Sequence, residues 1–193
     1  VPALVFLVGG AGNGKSYLAK KVTNQIKGTR VDERGTFASR VYDYELDNGG
    51  TLHVVNDATI PPKNASDSRD YLVNDIVRAL SQGSSMLTCV NRGILVSEAS
   101  ISVDSSDQDR RIATGIVRWL LNGHVDNDFD NISLDVSDSP DNGGHYTFCR
   151  VRNSEKTIAA VHVAFMDQCS LFEPFPAGGS GDRNCNAPAL RPD

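Results

Sequence analysis

The chain has 193 residues, of which 39% are hydrophobic and 22% are charged, and its formal net charge at pH 7 is −5. This length suffices for one domain with a real core, and the acidic balance argues against a dominant DNA-binding surface. The one long apolar run, Ala3–Val8, is far too short to span a membrane. Four irregularly spaced cysteines without a C-x-x-C pair favour reduced thiols. We therefore expect a cytoplasmic protein without membrane contact.

A buried strand and a helix open the chain. Ala3–Val8 is apolar throughout, as in a strand of a parallel sheet. Helical spacing predicts a helix over residues 15–27 that ends at Gly28, and the polar residues 29–35 predict a loop. The predicted buried stripe of this helix consists of Leu18, Val22 and Ile26.

A hairpin interrupts the alternation of strands and helices. Residues 40–46 alternate between apolar and charged, residues 47–50 read Asp-Asn-Gly-Gly, and residues 51–55 predict a second strand. Because a short turn pairs its strands antiparallel, we expect residues 40–46 to form an edge strand added to a mostly parallel sheet, and the alternative is that the turn belongs to a looser connection.

Two helices and a strand follow. Apolar residues at helical spacing predict one helix over residues 66–82 and another that is capped within residues 104–107 and runs to about residue 122, each ended by a glycine, Gly83 and Gly123. The first of them has serine N-cap candidates at its start. Residues 86–90 are apolar and predict a central strand.

The last third of the chain is rich in predicted strands. Alternating residues over about 130–166 predict a β-meander, one strand of which completes the central sheet. Residues 171–193 are rich in Pro and Gly and predict a tail or linker. The sequence thus predicts an α/β domain over residues 1–170, with three layers, a mostly parallel central sheet and an added β-meander. A first residue other than Met and this coil-like end lead us to expect a piece of a longer protein.

A phosphate-binding motif joins the first strand to the first helix. Residues 9–16 fit G-x-x-x-x-G-K-[ST] in a strand–loop–helix context. The glycines let backbone N–H groups surround phosphate oxygens, Lys15 would reach the β/γ-phosphates, and the Ser16 hydroxyl would bind Mg²⁺. We therefore predict ATP and Mg²⁺ as cofactors. The predicted nucleotide-binding residues are Gly9, Gly10, Ala11, Gly12, Asn13, Gly14, Lys15, Ser16 and Tyr17.

Polar residues follow the next two predicted strands of the sheet. Asn56 and Asp57 follow residues 51–55, and Asp57 is the candidate that holds Mg²⁺ through a water. If Asn56 takes the metal position instead, Asp57 falls where a water-activating carboxylate belongs. Asn91 follows residues 86–90 and could place the attacking water. The alternative for Asp57 and Asn91 is a turn-forming role after a strand.

Charged residues outside the motif give further candidates. Arg110 and Arg111 open a helix, where a cation is unfavourable to the dipole, so an arginine finger for a neighbouring subunit is one interpretation and plain surface exposure the other. Arg92 could also supply charge to the phosphate or to a neighbour. Glu98 is a further candidate base, or else a solvated glutamate.

Zinc is an unfavoured alternative, because its candidate ligands lack the paired close spacing of structural zinc sites. These candidates are His145, Cys149, Cys169 and Cys185. The histidines His53 and His162 lie in predicted strands and are expected to be packing residues.

The order of these segments resembles the additional-strand P-loop ATPases, nearest AAA+. The sequences of residues 7–16, 55–58 and 91–95 are similar to those of ATPase subunits from bacterial DNA phosphorothioation-linked modification and restriction systems. BREX-type defence ATPases are a related possibility. The resemblance implies Mg-dependent ATP hydrolysis that powers or switches a larger assembly. It also implies association with other subunits or with itself, and DNA handled through partners.

Two alternatives to an ATPase stay open at this point. A small-molecule P-loop kinase would place an acceptor site near Asp43 or Glu45 and close an arginine lid over the phosphates. The lid candidates are Arg110, Arg111 and Arg118. A nucleotide-binding scaffold that scarcely turns over is suggested by the Asn56-Asp57 pair, where a hydrolytic ATPase of this kind carries Asp then Glu.

Overall fold

A computed structural model describes residues 1–26, 28–30, 40–61, 70–100, 106–123, 132–137 and 146–167 of the chain. The described helices are α1 Lys15–Gln25, α2 Tyr71–Gln82, α3 Arg92–Ala99 and α4 Gln108–Asn122. The described strands are β1 Ala3–Val8, β2 Gly28–Arg30, β3 Val41–Leu46, β4 Thr51–Val55, β5 Ser85–Val90, β6 Ile132–Ser137, β7 Tyr146–Asn153 and β8 Lys156–Phe165. The predicted tail, residues 171–193, lies outside the described residues.

The strands form one mixed eight-stranded sheet in the order β2-β3-β4-β5-β1-β8-β7-β6. The four central strands, β4, β5, β1 and β8, run parallel, which accounts for three of the pairings. The other four pairings, at both sides of the sheet, are antiparallel. The chain is therefore α/β, but the prediction of a mostly parallel sheet is wrong. Short turns join β3 to β4 and β7 to β8, and a short turn can only return a strand antiparallel.

Helices cover both faces of the central strands. Leu4, Phe6 and Val8 of β1 pack in one cluster with residues of α2, α3 and α4. Leu7 of the same strand packs in the opposite cluster with Ala19 of α1. This separation follows from the two-residue period of a strand, whose successive side chains point to opposite faces. The predicted three layers are thus present.

The β3–β4 hairpin is confirmed, with Val41 opposite Val55, but its place in the sheet differs from the prediction. Residues 28–30 form β2 beside β3, so they are not a loop and β3 is not an edge strand. The first helix ends earlier than predicted, because Ile26 is already extended, with φ −74° and ψ 129°.

The buried face of α1 also differs from the prediction. Ala19 and Thr23 are its buried residues, while Val22 is 36% exposed. The helix carries few large apolar side chains, and a small residue lets it approach the sheet closely. The predicted stripe of Leu18, Val22 and Ile26 is therefore wrong in its centre, and Gly28 belongs to β2 rather than to a helix end.

Helix ends were predicted best where a glycine follows. Gly83 and Gly123 end α2 and α4 with φ values of +64° and +71°, in the left-handed region that glycine adopts without strain. Helix α4 is confirmed, with Asp107 as an N-cap that accepts a hydrogen bond from Asp109 N at 3.0 Å. Helix α2 begins at Tyr71 with Asp70 as its N-cap, and residues 66–69 of the predicted helix lie outside the described residues.

The short helix α3 was not predicted. Its N-cap is Asn91, whose side-chain oxygen accepts a hydrogen bond from Ile94 N at 2.9 Å. The Asn-Arg-Gly sequence reads as a turn, and only eight residues of helix follow. Its Leu95 is buried in the same cluster as α2 and α4.

Buried polar pairs fasten α2 to the hairpin. The Arg40 guanidinium donates to both carboxylate oxygens of Asp75, at 2.9 and 2.5 Å. His53 lies between Asp43 and Gln82, so this histidine is a hydrogen-bonded group and not only a packing residue. Burial raises the pKa of Asp75, and the Arg40 partner opposes that shift. These contacts fix the strand that leads to Asp57.

The β-meander is confirmed at the other side of the sheet. β6 pairs with β7, β7 pairs with β8, and β8 joins β1 in parallel with Leu4 opposite Val161. Among the described helices, none is long and apolar enough to cross a membrane.

Candidate functional site

The parallel strands bring four separate segments to one edge of the sheet. Residues 9–16 follow β1, Asn56 and Asp57 follow β4, Asn91 follows β5, and Asp167 lies two residues after β8. Helix α1, after β1, covers one face, while α3, after the neighbouring β5, covers the other. The connection after β1 therefore leaves toward one face of the sheet and the connection after β5 leaves toward the other, which opens a crevice between them. Ligands of open α/β sheets bind in such a crevice.

The glycine-rich loop holds a conformation suited to an anion. Gly9 N donates a hydrogen bond to Val90 O at 3.1 Å, which fixes the loop to the neighbouring strand. Gly12 and Gly14 have φ values of +82° and +76°, where a side chain would cost about 1–2 kcal/mol. Gly14 is the N-cap of α1 and has no side-chain acceptor, so the N–H groups of the first turn can serve an anion.

Gly9 is required by the close approach of the last central strand. A Cβ on Gly9 would lie 3.1 Å from Met166 Cβ and 3.2 Å from Asp167 N. Met166 N in turn donates to Val8 O at 2.7 Å. The first glycine of the motif therefore packs against β8, while Gly12 and Gly14 shape the cradle.

Lys15 and Ser16 point into the same crevice. The Lys15 ammonium donates to Gly9 O at 2.8 Å and to Gly10 O at 2.5 Å. This places one positive charge directly over the loop, beside the N–H groups of the helix start. The Ser16 hydroxyl lies 3.5 Å from Asn56 O, which ties the motif to the end of β4.

The crevice is a cleft of about 500 Å³, within the range of small-molecule sites. Its lining residues are Ala11, Gly12, Asn13, Gly14, Lys15, Ser16, Tyr17, Asn56, Asp57, Thr59, Cys89 and Asn91. Most of the predicted nucleotide-binding residues are thus brought together with Asn56, Asp57 and Asn91, although the motif and these residues are far apart in the chain.

Asp57 both forms a turn and faces the cleft. Its Oδ1 accepts hydrogen bonds from Thr59 N at 2.8 Å and from the Thr59 hydroxyl at 2.6 Å. The two interpretations of this residue are therefore compatible. Asn56 N donates to Arg40 O at 2.9 Å, so the buried Arg40–Asp75 pair holds the backbone of this segment.

A magnesium ion fits the donor set at this edge. Mg²⁺ in phosphate sites uses one or two protein ligands together with phosphate oxygens and waters. The Ser16 hydroxyl and the Asp57 carboxylate supply such ligands beside Lys15. Within the described ranges, no group of three His, Cys, Asp or Glu side chains forms a cage of its own. Ser16 and Asp57 supply two oxygen donors of the kind that Mg²⁺ uses beside a phosphate.

Asn91 has two roles available. Its Oδ1 accepts from Ile94 N and caps α3, as described above, while its amide NH₂ is a remaining donor at the cleft. The predicted turn-forming role is realised as a helix cap, and Asn91 also lines the cleft, while its place beside a phosphate stays a prediction.

Cys89 is a lining residue that the sequence did not indicate. It lies under the loop, with its thiol against the Ser16 hydroxyl. Burial raises the pKa of this thiol to about 11, so it stays protonated at neutral pH. Only the pairing of β5 with β1, which sets Leu7 opposite Cys89, reveals its position.

The remaining charged candidates do not line the cleft. The Arg110 guanidinium forms an ion pair with Asp70 and donates to Asn74 Oδ1 at 3.0 Å, which joins α4 to α2. Arg111 lies on the same helix, half-buried. Arg118 donates to Ala99 O at 3.2 Å and thereby joins α4 to α3.

Glu98 is neither a cleft residue nor solvated. It is 1% exposed, and its carboxylate accepts hydrogen bonds from Leu72 N at 2.9 Å and Val73 N at 2.8 Å. Burial raises its pKa to about 7, against the effect of these two hydrogen bonds. Its role in the fold is to cap α2.

The acceptor candidates of the kinase alternative are also remote from the loop. Asp43 bonds His53 in the middle of the hairpin, and Glu45 lies opposite Thr51, the first residue of β4. Because the loop lies at the carboxyl ends of the parallel strands, Glu45 is near the opposite edge of the sheet. The zinc candidate Cys149 is buried in the core, and the other three zinc candidates lie outside the described residues.

An ion pair beside the glycine loop could not be predicted from the sequence. Arg92 Nε and Nη2 donate to the two carboxylate oxygens of Asp167, at 2.6 and 3.3 Å. This hydrogen-bonded arginine holds the pKa of Asp167 below its usual range, and the charge of Lys15 acts in the same direction. A carboxylate directly after the last predicted strand was the only signal available.

Comparison of the chain with protein-family models, with curated proteins and with solved structures gives no match. The geometry of the cleft is therefore the basis for a functional assignment.

Proposed function

We propose that the chain is a Mg-dependent ATP-binding and ATP-hydrolysing domain of the additional-strand P-loop type. The observation that carries this proposal is the convergence of Lys15, Asp57 and Asn91 on one cleft from three neighbouring parallel strands and their following segments. β5, which leads to Asn91, is inserted between the strand of the glycine loop and the strand of Asp57. This order supports the resemblance drawn from the sequence.

The residues have separable roles in such a reaction. The loop N–H groups and the Lys15 ammonium would bind the β- and γ-phosphates and stabilise the charge that develops on them. Ser16, and Asp57 through a water, would hold Mg²⁺, which neutralises phosphate charge when bound. The Asn91 NH₂ group would orient the attacking water. The Lys15 ammonium and the N–H groups at the start of α1 suit an anionic ligand better than an apolar one.

A nucleotide-binding domain that scarcely hydrolyses is a second candidate, favoured by one observation. Asp57 is the one carboxylate among the residues that line the cleft in the described part of the chain. If it serves the metal, no second carboxylate of that lining is left to activate water. The two candidates share ATP binding and differ in phosphate release.

The setting of the reaction follows from the sequence resemblance alone. We propose that the domain works within a larger bacterial assembly, through other subunits or copies of itself, and that DNA is handled by those partners. The kinase alternative loses support, because Asp43 and Glu45 lie away from the cleft.

The test is nucleotide titration of the wild-type chain and of Lys15→Ala, followed by an assay of phosphate release. Loss of the ammonium removes hydrogen bonds to a charged ligand, so we expect affinity for MgATP to fall roughly tenfold to 100-fold. Lys20→Ala is the matched control, because Lys20 is an exposed lysine of the same helix. Equal affinity of the wild-type chain and Lys15→Ala would refute the proposal. Tight binding without phosphate release would favour the second candidate.

A further inference from the structure

The Arg92–Asp167 ion pair joins the segment after β5 to the segment after β8, across the end of β1 and beside the glycine loop. Arg92 is the first residue of α3, directly after Asn91, and Asp167 follows the last central strand. The two side chains are 49% and 25% exposed, so the pair can open without disturbing the core. Its two hydrogen bonds form the fork geometry in which a guanidinium binds a carboxylate or a phosphate equally well.

Asp167 also lies beside the loop that would hold phosphate. Its backbone N is 3.2 Å from the place of a Cβ on Gly9, and the Lys15 ammonium is 2.8 Å from Gly9 O. The charge of Lys15 helps to lower the pKa of Asp167. The carboxylate therefore neutralises part of the positive charge, from Arg92 and from Lys15, on this side of the cleft.

A bound triphosphate changes the balance of charge at this place. It brings several negative charges to Lys15, which repel the Asp167 carboxylate and attract the Arg92 guanidinium. A diphosphate ends one phosphoryl group earlier and exerts a weaker pull at the terminal position. The pair should therefore respond to the presence of the γ-phosphate more than to nucleotide as such.

We propose that Asp167 is a positioning residue that holds Arg92 back, and that the Arg92 guanidinium exchanges this carboxylate for the terminal phosphate of a bound nucleoside triphosphate. The inference rests on the proposed function, since it needs a phosphate at the loop. It makes the end of β8 a sensor of the triphosphate state, at a position remote in sequence from the glycine motif.

The test compares a non-hydrolysable ATP analogue with ADP, both with Mg²⁺, by isothermal titration calorimetry. Asp167→Asn should bind the triphosphate roughly twofold to fivefold more tightly than the wild-type chain, the range for one partly exposed charge, and should bind ADP with nearly unchanged affinity. Arg92→Gln should weaken triphosphate binding by a similar factor, again with little effect on ADP. In the double variant, Asp167→Asn should lose most of its effect, because the arginine that it releases is absent. Asp135→Asn is the charge-matched control, because Asp135 is an exposed aspartate of β6 that also pairs with an arginine, Arg152.

The outcomes separate this inference from the proposed function. Suppose that binding depends on Lys15, but that the Arg92 and Asp167 variants change the affinities for the triphosphate and for ADP equally, or not at all. The pair would then only fasten α3 to β8. This result would overturn the exchange and leave the proposed function standing. If the wild-type chain binds neither nucleotide, the proposed function and the exchange both fall. Circular dichroism of each variant establishes that it is folded.

Discussion

The Glu98 carboxylate on α3 accepts a hydrogen bond from Leu72 N at the start of α2, at 2.9 Å, and the neighbouring Val73 N completes the pair. A carboxylate here satisfies two N–H groups that a helix start leaves without backbone partners. It also meets the positive end of the helix dipole. A residue 26 positions later in the chain thus does the work of a local N-cap.

This contact predicts a pH-dependent stability. The folded state holds the Glu98 proton up to a pKa of about 7, whereas the ordinary value is 4.5. Between these values the folded state binds more protons than the unfolded state, so stability falls as pH rises through the window. Glu98→Gln is neutral at every pH. We expect the difference in unfolding free energy between wild type and variant to be largest below about pH 4.5 and to shrink by up to about 3 kcal/mol toward pH 7.

Urea unfolding at several pH values measures this difference. Glu155→Gln, at an exposed turn, is the control and should show no such trend. A difference between wild type and Glu98→Gln that stays constant with pH would contradict the burial-raised pKa of Glu98.

Asp57→Asn distinguishes the role of the Asp57 charge in Mg²⁺ binding from the role of its side-chain oxygen in the turn. An asparagine keeps the side-chain oxygen that accepts from Thr59 N and the Thr59 hydroxyl, so the unfolding free energy should change by less than about 0.5 kcal/mol. The lost charge should reduce the gain in ATP affinity that Mg²⁺ provides, by roughly tenfold. Titration of ATP with and without Mg²⁺ measures that gain.

The same titration on Asn56→Ala decides between the two metal candidates. If Asp57→Asn retains the full effect of Mg²⁺ and Asn56→Ala loses it, the metal position belongs to Asn56, and the carboxylate of Asp57 becomes the candidate for activating water.

Arg110→Ala tests an arginine finger against a structural arginine. The ion pair with Asp70 is partly buried, with side chains 33% and 10% exposed, and it joins α4 to α2. Its loss should cost about 1–2 kcal/mol of stability, between the values for exposed and buried pairs. Phosphate release per folded molecule should stay unchanged. A strong loss of ATP turnover by Arg110→Ala at unchanged stability would instead support the interpretation of Arg110 as an arginine finger. Thermal unfolding beside a phosphate assay makes the distinction.

The features that were predicted from sequence are those encoded by neighbouring residues. The glycine loop occupies one contiguous stretch, and Gly83 and Gly123 end helices through their own backbone freedom. The β3–β4 hairpin follows from its turn. In each instance the physical cause lies within a few residues of its effect, so no knowledge of the fold was needed.

The features that were missed depend on contacts between distant segments. Glu98 caps a helix that it does not belong to, and Asp167 reaches the loop only because β8 pairs with β1. Cys89 lines the cleft because β5 lies beside the loop strand. The larger number of antiparallel pairings was also not predicted. The edge strand β2 adds one of them, and it has only three residues, too few to give a recognisable strand pattern. The spacing of residues along the chain does not show which distant segments become neighbours in the fold.

Asn91→Ser isolates the proposed water-positioning role of Asn91 from its role as a cap. Serine is as good an N-cap as asparagine, so the bond to Ile94 N can be kept and the unfolding free energy should stay within about 0.5 kcal/mol of wild type. Serine lacks the amide NH₂ group and is shorter, so ATP turnover should fall by roughly tenfold or more, with KM little changed. Asn91→Ala removes both functions and should in addition cost about 1 kcal/mol of stability. Steady-state kinetics and urea unfolding of the three proteins give both readouts. If Asn91→Ser matches the wild-type kcat while Asn91→Ala loses only stability, Asn91 acts solely as the cap of α3, and the donor that orients water must be sought elsewhere on the cleft wall.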